Sequence, residues 1–308
     1  MTSNGSSRTF TGVVHQWIVR HPVAAFLSWV FTVGQVLAFA PILVRSVYGI
    51  TIPSEPFVLA STLIGLLLPT VAITRLVDGP GGLRSLWQRI RNVRVPLGWY
   101  AVALLGVPLS TLALTVALYG WPPQATSSTI ALAVGRGLLL QAFLVLLTNN
   151  LWEEVAWMGF VQARLQERHG AMRAAVFTGP LFALQHVSLV VDNSLAGAVI
   201  VMVGVSVLAI PFRALVGTAY NTTGSLFLVG LIHAIGNGMT GGSNVGAEGF
   251  LPRLYIGDPE LIGVMHQLGS AVIGIALVLA TRGRLGFRRS GCSAAPRLPA
   301  PRTEGATH

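Results

Sequence analysis

The sequence predicts an all-α integral membrane protein, a polytopic bundle of about eight transmembrane helices. Three observations carry this. Hydrophobic residues make up 53% of the 308-residue chain and charged residues only 10%, against about a quarter charged in a soluble domain. The mean hydropathy is +0.69. Apolar runs of about 20 residues, enough to cross a bilayer as a helix, recur along the chain. The composition excludes an ordinary cytosolic fold, and also disorder, which needs low hydrophobicity and high charge.

The first run, 22–44, follows a polar N-terminal arm, 1–21. It contains Ala38-Phe39-Ala40, which resembles a signal-peptidase site, but its length reads as a retained anchor. The second run is 56–74. A non-spanning stretch, 75–95, then sets Arg75, Arg84, Arg89, Arg91 and Arg94 against a single acid, Asp78. Its Leu83, Leu86, Trp87 and Ile90 recur at helical spacing, which predicts a short amphipathic helix at the interface. Further spans are expected at 97–119, 127–150, 174–191, 195–212, 224–239 and 261–281. The chain thus divides into the arm, N-terminal transmembrane helices over 22–126, a core over 127–240, an outer loop with the last helix over 241–281, and a basic tail, 282–308. The tail is rich in Pro, Ala and Arg and reads as disordered.

The net charge is +10, and all twenty basic residues are Arg. The arginines concentrate in a few segments between runs, the pattern of lipid-headgroup contact and topology control rather than of nucleic-acid binding. The arm, the 75–95 stretch, the Arg164/Arg168/Arg173 cluster, Arg213 and the tail fall on one side of an eight-span alternation, while Arg45, Asp192 and Arg253 fall on the other. This places a multi-pass protein in the cell membrane with both termini cytoplasmic. The single cysteine, Cys292, excludes an intramolecular disulfide and fits a reducing side.

Ionisable groups inside a span cost on the order of 2.5–3.5 kcal/mol each, so their default reading is functional. Three places stand out. Glu153 and Glu154 close an apolar run with no loop signal on either side. Adjacent helical positions point about 100° apart, so one carboxylate can face the bundle interior while the other meets a different helix; the alternative is an interfacial pair at a helix end. His186 lies deep in the 174–191 span. His233 and Asn237, four apart, project from one face of the seventh span and offer two hydrogen-bonding groups to one point, as an oxyanion or a water requires. Arg136 is a further intramembrane charge, read as half of an ion pair with an acid elsewhere. His15, His21, His169, His266 and His308 carry no assigned role.

In these residues the chain resembles the CAAX-protease and bacteriocin-processing family of intramembrane proteases, which includes the eukaryotic prenyl-protein endopeptidase. The family pattern is Glu-Glu-x-x-x-Arg, then Phe-x-x-x-His, then His-x-x-x-Asn on successive membrane helices. Phe182 and His186 complete the second motif, and His233 and Asn237 the third. Trp157, Gly159 and Phe160, the Thr223-Gly224-Ser225 turn, and the Arg-rich segment ending at Trp99 add to the likeness. It covers roughly residues 80 to 240 and makes 127–240 the catalytic core. The departure is the Arg of the first motif, which falls on Met158. Glu154 must then find another cation, remain protonated or sit in water, with Arg136 and Arg164 as candidate partners.

The resemblance implies catalytic roles for Glu153, Glu154, His186, His233 and Asn237. Glu153 and His186 would activate a water, and His233 and Asn237 would stabilise the oxyanion. Glu153, His186 and His233 are also a ligand set for a divalent metal such as zinc with one open position, while the same groups serve general-base catalysis without metal. The expected substrate is a peptide or membrane-anchored protein tail, with the lipid bilayer as the other partner. Two other classes remain: a membrane scaffold or partner-binding protein weakened by Met158, and a proton-coupled transporter. The absence of an internal repeat weighs against the last.

Overall fold

The computed structural model describes residues 10–241, 249–255 and 263–288, so Cys292 and most of the tail lie outside the described residues. The described chain is helical throughout. Helix α1 (Phe10–Arg20) leads into α2 (Pro22–Tyr48), α3 (Glu55–Val77), α4 (Gly79–Ile90), α5 (Leu97–Tyr119), α6 (Ser127–His169), α7 (Ala171–Leu184), α8 (Leu195–Thr223), α9 (Leu226–Thr240), α10 (Phe250–Leu254) and α11 (Met265–Thr281). Five of these, α2, α3, α5, α6 and α8, are long and apolar enough to cross a membrane, and α7, α9 and α11 are shorter apolar helices. Together they fall on the eight runs expected from the sequence, and the protein is a multi-pass helical membrane protein.

Three boundaries differ from expectation in ways that matter for the site. The span expected over 127–150 continues to His169, because nothing between Asn150 and Gly170 breaks a helix; Gly170, at φ +83°, does. The run expected to end at Phe212 continues to Thr223, where Gly224 at φ +67° terminates α8 and Ser225 caps α9 by accepting from the Leu228 N–H at 3.0 Å. Conversely, α7 stops at Leu184, so His186 sits in the turn after it and not deep in a span. The first residues of the expected disordered tail are packed: Leu285 is fully buried against Ala171, Ala175 and Ala214, and its carbonyl accepts from Asn221 Nδ2 at 3.0 Å.

Helix α9 is the axis of the molecule. It is buried almost all round, as a helix enclosed by others must be, and packs against α5, α6, α8 and α11. By contrast, the first half of α8 exposes Leu195, Val199, Ile200, Val203 and Val207, an apolar surface suited to acyl chains. The amphipathic segment forms α4 as expected and docks onto the bundle: Leu86 is buried, and Asn92 Nδ2 donates to the Thr223 carbonyl at 2.9 Å. Charges pair within each end of the bundle, Arg45 with Asp192 at one and Arg164 with Asp78 at the other.

Helices α2 and α3 approach most closely at two glycines. A Cβ at Gly65 would stand 2.8 Å from the Gly34 Cα, and Ser61 Oγ donates across the same contact to the Gly34 carbonyl at 3.1 Å. Small residues let membrane helices pack at backbone distance. Gly65→Val should therefore force the pair apart and cost about 1–3 kcal/mol, visible as a lower melting temperature in detergent; an unchanged melting temperature would contradict this packing.

Candidate active site

Glu153 and Glu154 lie on one α-helical turn of α6, Leu151–Ala156, with π-helical segments on both sides at Leu146–Asn150 and Trp157–Gln162. The pair is well inside the helix, so it does not mark a helix end. The two carboxylates diverge as the 100° step requires. Glu153 faces a cavity of about 610 Å³; Glu154 turns away from it into the packing between α6, α8 and α9, with no exposed surface.

Glu154 has a partner that the sequence reading did not assign. Arg213 Nη1 donates to both of its carboxylate oxygens, at 3.0 and 2.8 Å, and both side chains are fully buried. The same guanidinium donates from Nε to Gln162 Oε1 at 2.9 Å, while Gln162 Nε2 donates back to the Arg213 carbonyl at 3.0 Å. Its carbon lies 5.4 Å from the Phe182 ring centroid and 5.9 Å from that of Phe212. Arg213 is thus no loop residue but a buried charge within α8. Neither candidate from the sequence fills this place: Arg164 pairs with Asp78, and Arg136 is exposed on α6 and forms no ion pair among the described residues. The reading of Arg136 as half of an ion pair is therefore not met there. Glu154, Met158 and Gln162 follow one another at four-residue intervals, and Arg213 binds the first and third. It spans the position where an Arg at 158 would reach Glu154, while Met158 itself is fully buried in the apolar core.

Glu154 also holds His233, whose Nδ1 lies 3.1 Å from Glu154 Oε1 and 3.8 Å from Glu153 Oε2. Glu153 is held separately. Asn150 Nδ2 donates to its Oε2 at 3.2 Å, and Asn150 Oδ1 accepts from Asn237 Nδ2 at 3.2 Å. Gln185 Nε2 approaches Glu153 Oε1 at 3.5 Å, and Gln185 Oε1 accepts from the Trp157 indole. His186 lines the cavity without bonding to Glu153; its Nδ1 donates to the Phe182 carbonyl at 3.0 Å. A carbonyl can only accept, so a proton sits on Nδ1, which leaves Nε2 as the nitrogen that can face the cavity. The Phe182 ring lies between the two imidazoles, 5.0 Å from His186 and 5.6 Å from His233.

Four of the five site residues expected from the sequence, Glu153, His186, His233 and Asn237, therefore line one cavity, and the fifth, Glu154, lies directly behind it. Asn150, Gln185 and Gln162 were not singled out, although the first two neighbour motif residues. The signal for Arg213 was the apolar Ala214-Leu215-Val216-Gly217 that follows it. His266, given no role, also lines the cavity. As for the metal set, among the described residues no three His, Cys, Asp or Glu side chains gather closely enough to hold an ion.

Residues 135–239, about a third of the chain, match the model of the Rce1-like family, described as type II CAAX prenyl endopeptidase. The match contains Glu153, Glu154, His186, Arg213, His233 and Asn237, and it stops before α10 and α11. No curated protein is similar enough to the chain to match it.

Proposed function

We propose that the protein is an intramembrane endopeptidase of the CAAX-protease type, hydrolysing a peptide bond in a membrane-associated protein or peptide with a water activated by Glu153 and His186. The observation that carries this is the convergence of Glu153, His186, His233 and Asn237, from three separate stretches of helix and turn, on one cavity. Burying such groups is expensive, and neither a scaffold nor an anchor needs all four.

In the proposed reaction, a water bridges the Glu153 carboxylate and the His186 Nε2. Glu153 takes one proton as the water oxygen attacks the peptide carbonyl carbon. His233, fixed through Nδ1 by Glu154, offers Nε2–H in its protonated form. Asn237 retains one amide hydrogen beyond that given to Asn150. These two donors meet the developing oxyanion. Collapse of the tetrahedral intermediate breaks the C–N bond, and the proton held by Glu153 passes to the departing amine. Glu154 and Arg213 touch no substrate and act as positioning residues. The Arg213–Glu154 pair, in which Nη1 serves both carboxylate oxygens, answers the Met158 departure, the one feature favouring a non-catalytic scaffold. The Arg distribution supports a cell-membrane setting with both termini cytoplasmic.

Purified protein in lipid, incubated with a library of membrane-anchored peptides, should generate new termini, and His186→Ala should lower the rate by about 10²–10⁴-fold. Equal cleavage by the variant would remove His186 from the site. Because no three metal-binding side chains gather among the described residues, cleavage should also survive extensive chelation. Loss of activity on chelation, restored by zinc, would overturn the metal-free reading.

A further inference from the structure

We propose that Asn149 and Gln267, the latter beside the Thr240–His266 pair, form a subsite that binds the main chain of an extended peptide substrate, so that α11, beyond the family-matched segment, sets how the peptide lies against Glu153. This rests on the endopeptidase reading.

The cavity has a second polar wall. His266, Gln267 and Ser270 of α11 line it together with the apolar Met202, Val205 and Phe212 of α8. The His266 ring is fixed in place: its Nδ1 is 2.8 Å from Thr240 Oγ1, and its Cδ2 lies 3.3 Å from where a Cβ at Gly236 would stand. A glycine at 236, between His233 and Asn237, thus leaves room for this imidazole beside the two proposed oxyanion donors. Any larger residue there would push it away.

Two acceptors then point to the ligand. Gln267 Oε1 on α11 and Asn149 Oδ1 on α6 are buried and have no hydrogen-bond partner among the described residues, and both residues line the cavity. Native structures rarely leave buried acceptors unfilled; water serves them in the free protein, and a ligand that displaces this water must bring donors of its own. An extended peptide brings backbone N–H groups to both of its edges at fixed spacing. Asn149 lies one turn before Glu153. A strand donating one N–H to Asn149 and another to Gln267 would cross the cavity with its carbonyls beside the His233–Asn237 face.

The test uses the full-length protein in lipid nanodiscs and a peptide that the wild type cleaves. Gln267→Met, close in size but unable to accept, should raise KM about tenfold with kcat changed less than twofold and the melting temperature unchanged. In a Glu153→Gln background, a fluorescent form of that peptide should bind about tenfold more weakly when Gln267→Met is added. N-methylating one backbone amide of the peptide should weaken binding to the Glu153→Gln protein to a similar degree. It should cost nothing further once Gln267→Met is present, a coupling that a purely structural role would not produce. Unchanged KM, or independent losses at every methylated position, overturns the subsite while the peptidase reading stands. Absence of both cleavage by the wild type and binding by the Glu153→Gln protein overturns the subsite and the peptidase reading together.

Discussion

Arg213→Met should destabilise the folded protein by about 3–5 kcal/mol, the cost of leaving a buried charge without its partner, and peptidase turnover should fall with it. Glu154 would keep His233 at 3.1 Å but lose both guanidinium bonds, at a site with no exposed surface. Met158→Arg alone should also destabilise, by about 1–3 kcal/mol, because it adds bulk and a second cation where Glu154 is already paired; it should not raise turnover. Combining Met158→Arg with Arg213→Met should restore most of both stability and activity, since position 158 lies between the two residues, Glu154 and Gln162, that Arg213 now binds. Denaturation of all four proteins gives the double-mutant cycle directly. Additive losses in the double variant would show that the guanidinium cannot be supplied from α6.

Glu153→Gln and Glu154→Gln should separate two adjacent carboxylates with opposite duties. Glu153→Gln should lower turnover by about 10²–10⁴-fold and leave the melting temperature within a few degrees, because an amide still accepts from Asn150 at the cavity wall. Glu154→Gln should instead unfold the protein more readily, by about 3–5 kcal/mol, since Arg213 is then the buried group without a counter-charge. Stability curves and turnover for both variants check this. Equal stability loss in the two would mean that both carboxylates serve packing, and equal activity loss without instability in Glu154→Gln would move Glu154 into the chemistry.

The spans were legible because each is an apolar run bounded by glycine, proline or arginine, and the 97–119 span matches α5 residue for residue. The three helix ends that shifted did so for local reasons. The α6 run passes through Glu153 and Glu154 because no Gly or Pro interrupts it before Gly159, which lies packed inside the helix. Likewise α8 passes Pro211 and Arg213 because the arginine is neutralised from another helix rather than by solvent. That last fact explains what the sequence hid. Glu154 and Arg213 are 59 residues apart in the chain, and no spacing rule connects them; periodicity finds partners on one helix, not between helices. The site was more readable than the packing, because Glu, His and Asn inside apolar runs announce themselves by cost alone. Gln162 and Gln185 did not, since uncharged amides near a helix end carry no comparable penalty. His266 was passed over because it stands at the start of an apolar stretch, where histidine is unremarkable until Thr240 and Gly236 are seen beneath it.

The central claim is that a water held at Glu153 is the nucleophile at a peptide bond. The measurement is the mass of the newly formed carboxyl terminus after the protein in lipid has turned over a membrane-anchored peptide in ¹⁸O-enriched water, wild type beside Glu153→Gln. The wild type should give product carrying one heavy oxygen, and the variant no product above background. An unlabelled carboxyl terminus, or labelled product formed at the wild-type rate by Glu153→Gln, would contradict the central claim.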